Sequence, residues 1–115
     1  MGASLGLSTH VLDTASGLPA ADMEVRCERR DGDHWKEVGG GATDADGRIK
    51  AVLGTTPLCA GVFRLTFDTG AWHAVRGTKG FFPSVSIEFE VVDASRHHHV
   101  PLLLSPFGYS TYRGS

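Results

Sequence analysis

Ser84-Val85-Ser86-Ile87-Glu88-Phe89-Glu90-Val91-Val92 alternates without a break, with Val85, Ile87, Phe89 and Val91 against Ser86, Glu88 and Glu90. Side chains of a strand point to opposite faces in turn, so this pattern predicts a strand with one face in a core and the other in water. Weaker versions of the same rhythm lie on either side. Gly61 to Asp68 sets Phe63, Leu65 and Phe67 against Val62, Arg64 and Thr66, and Met23, Val25 and Cys27 alternate with Glu24, Arg26 and Glu28. Leu7 to Asp13 is a short β-type run closed by the turn-forming Ser16-Gly17-Leu18-Pro19, and it places His10 on one face with Ser8 and Leu12.

The remaining elements follow from punctuation. Asp31-Gly32 is a hairpin signal, with His34 to Val38 as the returning strand. Gly39-Gly40-Gly41 is expected to interrupt pairing, and Thr43 to Arg48 reads as a polar turn whose Gly47 takes positive φ before a strand from Ile49 to Leu53. Asp68 or Thr69 caps one short helix that runs through Trp72 to Arg76, ended by Gly77 and Gly80. His97 to Leu104 and Gly108 to Arg113, joined by Ser105-Pro106-Phe107, complete eight strands. The 15 glycines and 5 prolines in 115 residues leave little room for longer helices, so the expected fold is all-β, a single domain over residues 1–115 built as a two-sheet sandwich.

Composition narrows the function. A net charge of −2 with both signs interspersed gives no nucleic-acid surface. No apolar stretch approaches the ~20 residues of a membrane helix, and Met1 to Gly6 is too short and polar for a signal peptide, so no membrane partner and a cytoplasmic location are expected. Gly2 matches a myristoylation site but Gly6 stands where Ser or Thr belongs. Cys27 and Cys59 are expected to be buried free thiols.

Catalytic motifs of the common hydrolases and phosphate-binding enzymes are absent, and the carboxylates sit in turns or on solvent faces. Histidine, arginine, tyrosine and the chain end remain. His97-His98-His99 reads as a metal tract or as solvated loop histidines, and the lack of a suitably spaced Cys, Asp or Glu favours the second for His97 and His98. His99 borders the apolar run Val100 to Leu104, where a structural and an acid–base role compete. Taken singly, His10 reads as a structural histidine and Arg48 as a solvated turn residue. The last residues are unusual, because a chain end is normally small, polar and loose, whereas Tyr109, Thr111, Tyr112 and Arg113 are suited to packing.

Leu7-Ser8-Thr9-His10-Val11-Leu12-Asp13, the Thr43-to-Arg48 turn, Phe81-Phe82-Pro83 and the whole run from His99 to Tyr112-Arg113-Gly114-Ser115 resemble the transthyretin-like 5-hydroxyisourate hydrolases, from about Leu7 to the last residue. The resemblance implies a prealbumin-like (transthyretin-type) sandwich of two four-stranded sheets with one short helix. It further implies a homotetramer, a dimer of dimers with its sites in a central channel, and hydrolytic ring opening of 5-hydroxyisourate to OHCU without metal or organic cofactor. By motif, His10, Arg48 and His99 would be catalytic, and Tyr112, Arg113, Gly114 and Ser115 would bind substrate. The family often has His-Tyr-His where this chain has His97-His98-His99, which leaves His99 in place. Terminal Tyr-Arg-Gly-Ser is specific to the hydrolase branch, and the hormone-carrying transthyretins lack it. Competing readings are a small-molecule carrier using the same channel, a metal-dependent hydrolase using the histidine tract, and a purely structural sandwich.

Overall fold

A computed structural model describes residues 6–115. The signal-peptide and myristoylation readings of Met1 to Leu5 lie outside the described residues. Nine strands and one helix follow in the order β1 (Leu7–Asp13), β2 (Leu18–Pro19), β3 (Glu24–Asp31), β4 (His34–Ala42), β5 (Arg48–Ile49), β6 (Gly61–Phe67), α1 (Thr69–Val75), β7 (Val85–Val91), β8 (His98–Ser105) and β9 (Gly108–Thr111). One sheet has the order β4-β3-β6-β7. The other has the order β2-β1-β8-β9, with the two-residue β5 paired to β1. Its three long strands and two short flanking ones take the place of the expected four-stranded sheet.

The two sheets close on a single apolar cluster. Leu7, Val11, Val100, Leu102 and Leu104 come from one side, and Val25, Cys27, Phe63, Leu65, Phe67, Val85, Ile87 and Val91 from the other. Burying one such side chain is worth about 1.5–3 kcal/mol, and this inward face holds each strand's register, since a slip of one residue would turn the whole set outward. Buried polar groups are satisfied locally: Thr9 Oγ1 donates to the Val100 carbonyl at 2.7 Å, and Thr43 Oγ1 donates to the Ala20 carbonyl at 2.7 Å. Asp68 caps α1 by accepting from the Ala71 N–H.

Three expectations are corrected. The glycines at 39–41 do not interrupt pairing but lie opposite Cys27, Arg26 and Val25, with a register shift between Cys27 and Glu28. Side chains at positions 39 and 40 would run into the carbonyl oxygens of Val52 and Val25, so glycine is what lets the backbones meet. The strand expected from Ile49 to Leu53 stops at Ile49, because the chain folds inward: Val52 N–H donates to the Leu7 carbonyl at 3.0 Å and its own carbonyl accepts from Gly40 N–H at 2.9 Å, tying the two sheets together. Both cysteines are free, but only Cys27 is buried. Leu58 takes the inward position beside the core, leaving Cys59 outside. Burial pushes the Cys27 thiol up to about 12, so it is an inert core residue.

Candidate active site

The parallel pairing of β1 with β8 organises the site. Its register sets Ser8 beside His99 and His10 beside Pro101, although some ninety residues separate the strands in sequence. Leu7, Thr9 and Val11 point into the core, so Ser8 and His10 face outward together. On the other edge of β1, β5 pairs His10 with Arg48. Two imidazoles and a guanidinium thus share one outer face.

Arg48 is placed by a turn that closes on itself. Asp44 N–H donates to the Arg48 carbonyl at 2.8 Å, while the Asp44 carboxylate accepts from the Arg48 and Asp46 N–H groups, each at 2.9 Å. Those N–H groups, that of Arg48 foremost, hold the Asp44 carboxyl below its ordinary range. Gly47, at φ 75°, gives its carbonyl to Val11 N–H at 2.8 Å, which docks the turn on β1. The guanidinium is left exposed for contact with a ligand.

A cavity of about 490 Å³ opens here, lined by Ser8, Thr9, Asp46, Arg48, Lys50, His97, His99 and Ser115. His99 is half-buried, and its pKa is lowered by that burial first and then by the charges of Arg48, His10 and His97. Its ring therefore stays neutral, and able to take up a proton, to lower pH than a free histidine. A larger cleft of about 760 Å³ lies over the outer face of the β4-β3-β6-β7 sheet beside Glu24, Arg26, Glu37 and Thr66. It has no histidine in its lining, and its volume is mostly the open hollow of a sheet face.

The chain end is tied down at one point. Gly114 N–H donates to the His99 carbonyl at 2.8 Å, and a Cβ at position 114 would stand 2.5 Å from His99 Cδ2. Glycine is required for the tail to lie flat on the imidazole. This seats Ser115 in the cavity of Arg48 and His99. Tyr112 and Arg113, in contrast, border a separate cavity of about 310 Å³ against Ile87 to Glu90 of β7, and His99 stands between the two. The expected packing of the tail thus holds for its backbone, while Tyr112 remains 58% exposed.

His98 is buried, not solvated, with Nδ1 2.8 Å from the Arg96 carbonyl, because β8 alternation sends it inward between His97 and His99. Sequence reading gave Ser8, Lys50 and Asp46 no role. For Ser8 a signal existed, its place on the face of His10. No group of three or more His, Cys, Asp or Glu able to hold a metal ion occurs among the described residues, and none of their helices is long and apolar enough to cross a membrane.

Comparison with known proteins bears on the family and the fold. The sequence profile of the HIUase/Transthyretin family matches residues 7–114. The 5-hydroxyisourate hydrolase of Caulobacter vibrioides is 47% identical over 114 residues, covering 96% of this chain and 98% of that protein. Among solved structures, Klebsiella pneumoniae 5-hydroxyisourate hydrolase superposes with a TM-score of 0.83 at 40% identity, covering 95% of this chain and 98% of that one. Sea bream transthyretin in complex with thyroxine gives 0.88 at 32% identity, covering 95% and 94%. A sandwich with this strand order, carrying His10, Arg48 and His99 on one outer face, therefore belongs to the HIUase/Transthyretin family.

Proposed function

We propose that this protein is a 5-hydroxyisourate hydrolase, opening the six-membered ring of its substrate to OHCU in urate catabolism. The observation that carries the reading is the convergence of His10, Arg48 and a half-buried His99 on one face, with Ser115 held beside them. A carrier has no need of two imidazoles that converge beside a guanidinium.

Ring opening needs water at an amide carbonyl, charge stabilisation on the carbonyl oxygen, and a proton for the departing nitrogen. His99 accepts the proton from water, since a neutral imidazole is the side chain suited to that work near pH 7. His10, on the neighbouring strand, helps hold the water and returns a proton to the ring nitrogen. Arg48 is permanently charged and fork-shaped, and it grips the oxygen on which charge develops. Ser115 frames the ring in the Arg48 cavity with Gly114 packed on the His99 imidazole, so that binding supplies orientation, while Tyr112 and Arg113 border the neighbouring cavity. The residues in these roles are all side chains or backbone of the protein, and no step calls for a metal or organic cofactor.

The working form we propose is a homotetramer, a dimer of dimers. The outer edges of β7 and β9 are unpaired among the described residues, and Leu18, Phe107 and Tyr112 are exposed at 63%, 77% and 58%. Free Cys27 and Cys59 suit a reducing compartment such as the cytoplasm.

The test follows the ultraviolet decay of freshly formed 5-hydroxyisourate after urate oxidase has acted. Catalytic amounts of protein should accelerate the decay, and unchanged decay sinks the reading. Because the pKa of His99 is lowered, kcat/KM should hold its plateau below the ordinary histidine value of ~6.5 and fall only at more acid pH, as His99 takes up a proton. Gly114→Ala probes the tail. Its methyl must displace the His99 ring, so kcat/KM should drop about 10²-fold, the cost of a misplacement near 1 Å, with little change in thermal midpoint.

A further inference from the structure

Ser8 Oγ lies 2.7 Å from His99 Nδ1 and 2.8 Å from His97 Nε2. A serine hydroxyl carries one proton and two lone pairs, so it donates to at most one of these nitrogens and accepts from the other, or accepts from both. An arrangement in which both nitrogens donate to Ser8 also leaves His99 Nε2 bare but gives the proton no route to His97; two arrangements place the hydroxyl proton between the rings. In one, His97 donates to Ser8 and Ser8 to His99, which leaves the proton of His99 on the far nitrogen, Nε2. In the other, His99 Nδ1–H donates to Ser8 and Ser8 donates to His97 Nε2, which leaves His99 Nε2 bare.

The geometry points to the second arrangement as the working one: Ser8 is a positioning residue that sets the tautomer of His99, and His97 is the outlet through which the catalytic proton reaches solvent. This inference deepens the hydrolase reading and rests on it. As water attacks the ring carbonyl, its proton goes to His99 Nε2. The Nδ1 proton of His99 then passes to Ser8 Oγ, and the hydroxyl proton of Ser8 passes to His97 Nε2. The balance is one proton moved from water to His97, which releases one to solvent, with Ser8 and His99 neutral and His99 protonated on Nε2. The starting tautomers return when that Nε2 proton recharges His10, which gave its own to the ring nitrogen, and His99 Nδ1 takes a proton back from solvent through His97 and Ser8.

The surroundings favour that direction. His99 is half-buried and faces Arg48 and His10, and burial, Arg48 and His10 each disfavour a positive charge on it. His97 is exposed, where water stabilises an imidazolium. Both His99 and His97 line this cavity, and His97 is the one at its exposed edge. The bridge depends on the parallel β1–β8 register, which pairs Ser8 with His99.

Three variants and two readouts test it. In wild-type protein, 15N spectra should show neutral His99 protonated on Nδ1. Ser8→Ala should revert it to the Nε2–H form that free histidine prefers. Turnover of Ser8→Ala should fall about 10-fold or more, a share of the ~10²–10⁴-fold that general acid–base catalysis contributes, with KM nearly unchanged. Ser8→Thr, which keeps the hydroxyl, should recover most of that loss. His97→Gln keeps an acceptor for Ser8 but cannot carry the proton, so its kcat should fall about 10-fold in dilute buffer and return when imidazole is added. Finding His99 protonated on Nε2 in the wild type, or wild-type kcat in Ser8→Ala, overturns the proposal. The tautomer readout needs no substrate, so it judges the bridge separately from the hydrolase reading.

Discussion

His99→Ala should lower kcat/KM for 5-hydroxyisourate by about 10³-fold, near 4 kcal/mol of transition-state stabilisation. The imidazole is the best-placed acceptor for the proton of water, standing between both cavities and held by Ser8 Oγ at 2.7 Å. Loss of fold would be a trivial cause, and the contacts speak against it. What residue 99 gives the scaffold is main chain: its pairing with Ser8 across β1–β8, and its carbonyl, which accepts from Gly114 N–H. Alanine keeps both. The side chain is half-buried at the rim, not in the core cluster, so its removal opens no internal cavity. Thermal denaturation should therefore remain close to wild type while activity collapses. A variant that retains turnover within about threefold would remove His99 from the mechanism and leave His10 and His97 as the candidate bases on that face.

What could be read from sequence, and what could not, divides along a physical line. Strands β6 and β7 were legible because their inward positions alternate strictly, and no other backbone buries Phe63, Leu65 and Phe67 or Val85, Ile87 and Val91 together. The turn from Thr43 to Arg48 was legible from Asp-Gly chemistry alone. Local rules failed where a distant segment decides. Gly39 and Gly40 look like strand breakers until Val52 and Val25 are seen pressing against them, and Val52 leaves its expected strand because its hydrogen bonds go to Leu7 and Gly40. The same division runs through the site. His10, Arg48 and His99 were found by motif, but the bridge from Ser8 to His97 and His99 exists only in a register that joins positions some ninety residues apart. Four residues adjacent at the chain end do not share one surface, since Gly114 and Ser115 turn toward Arg48 while Tyr112 and Arg113 face β7.

Arg48→Ala should lower kcat about 10²–10³-fold, the loss typical of removing one donor to a developing oxyanion. The side chain is exposed and its turn is held by backbone bonds between residues 44 and 48 and by the Asp44 carboxylate, so the substitution leaves the scaffold intact. A second consequence follows from electrostatics. Burial is the first cause of the lowered pKa of His99, and the charge of Arg48 is the next. Deleting that charge lets the pKa of His99 rise toward its ordinary value, so the acid limb of kcat/KM should move to higher pH, while burial keeps the shift from being complete. Arg48→Lys separates the two roles. A lysine restores positive charge, and with it most of the wild-type acid limb, but its ammonium cannot reproduce the two-pronged grip of a guanidinium, so kcat should recover only in part. Turnover of Arg48→Ala within about threefold of wild type, with an unmoved acid limb, would place the guanidinium outside both the oxyanion site and the field of His99.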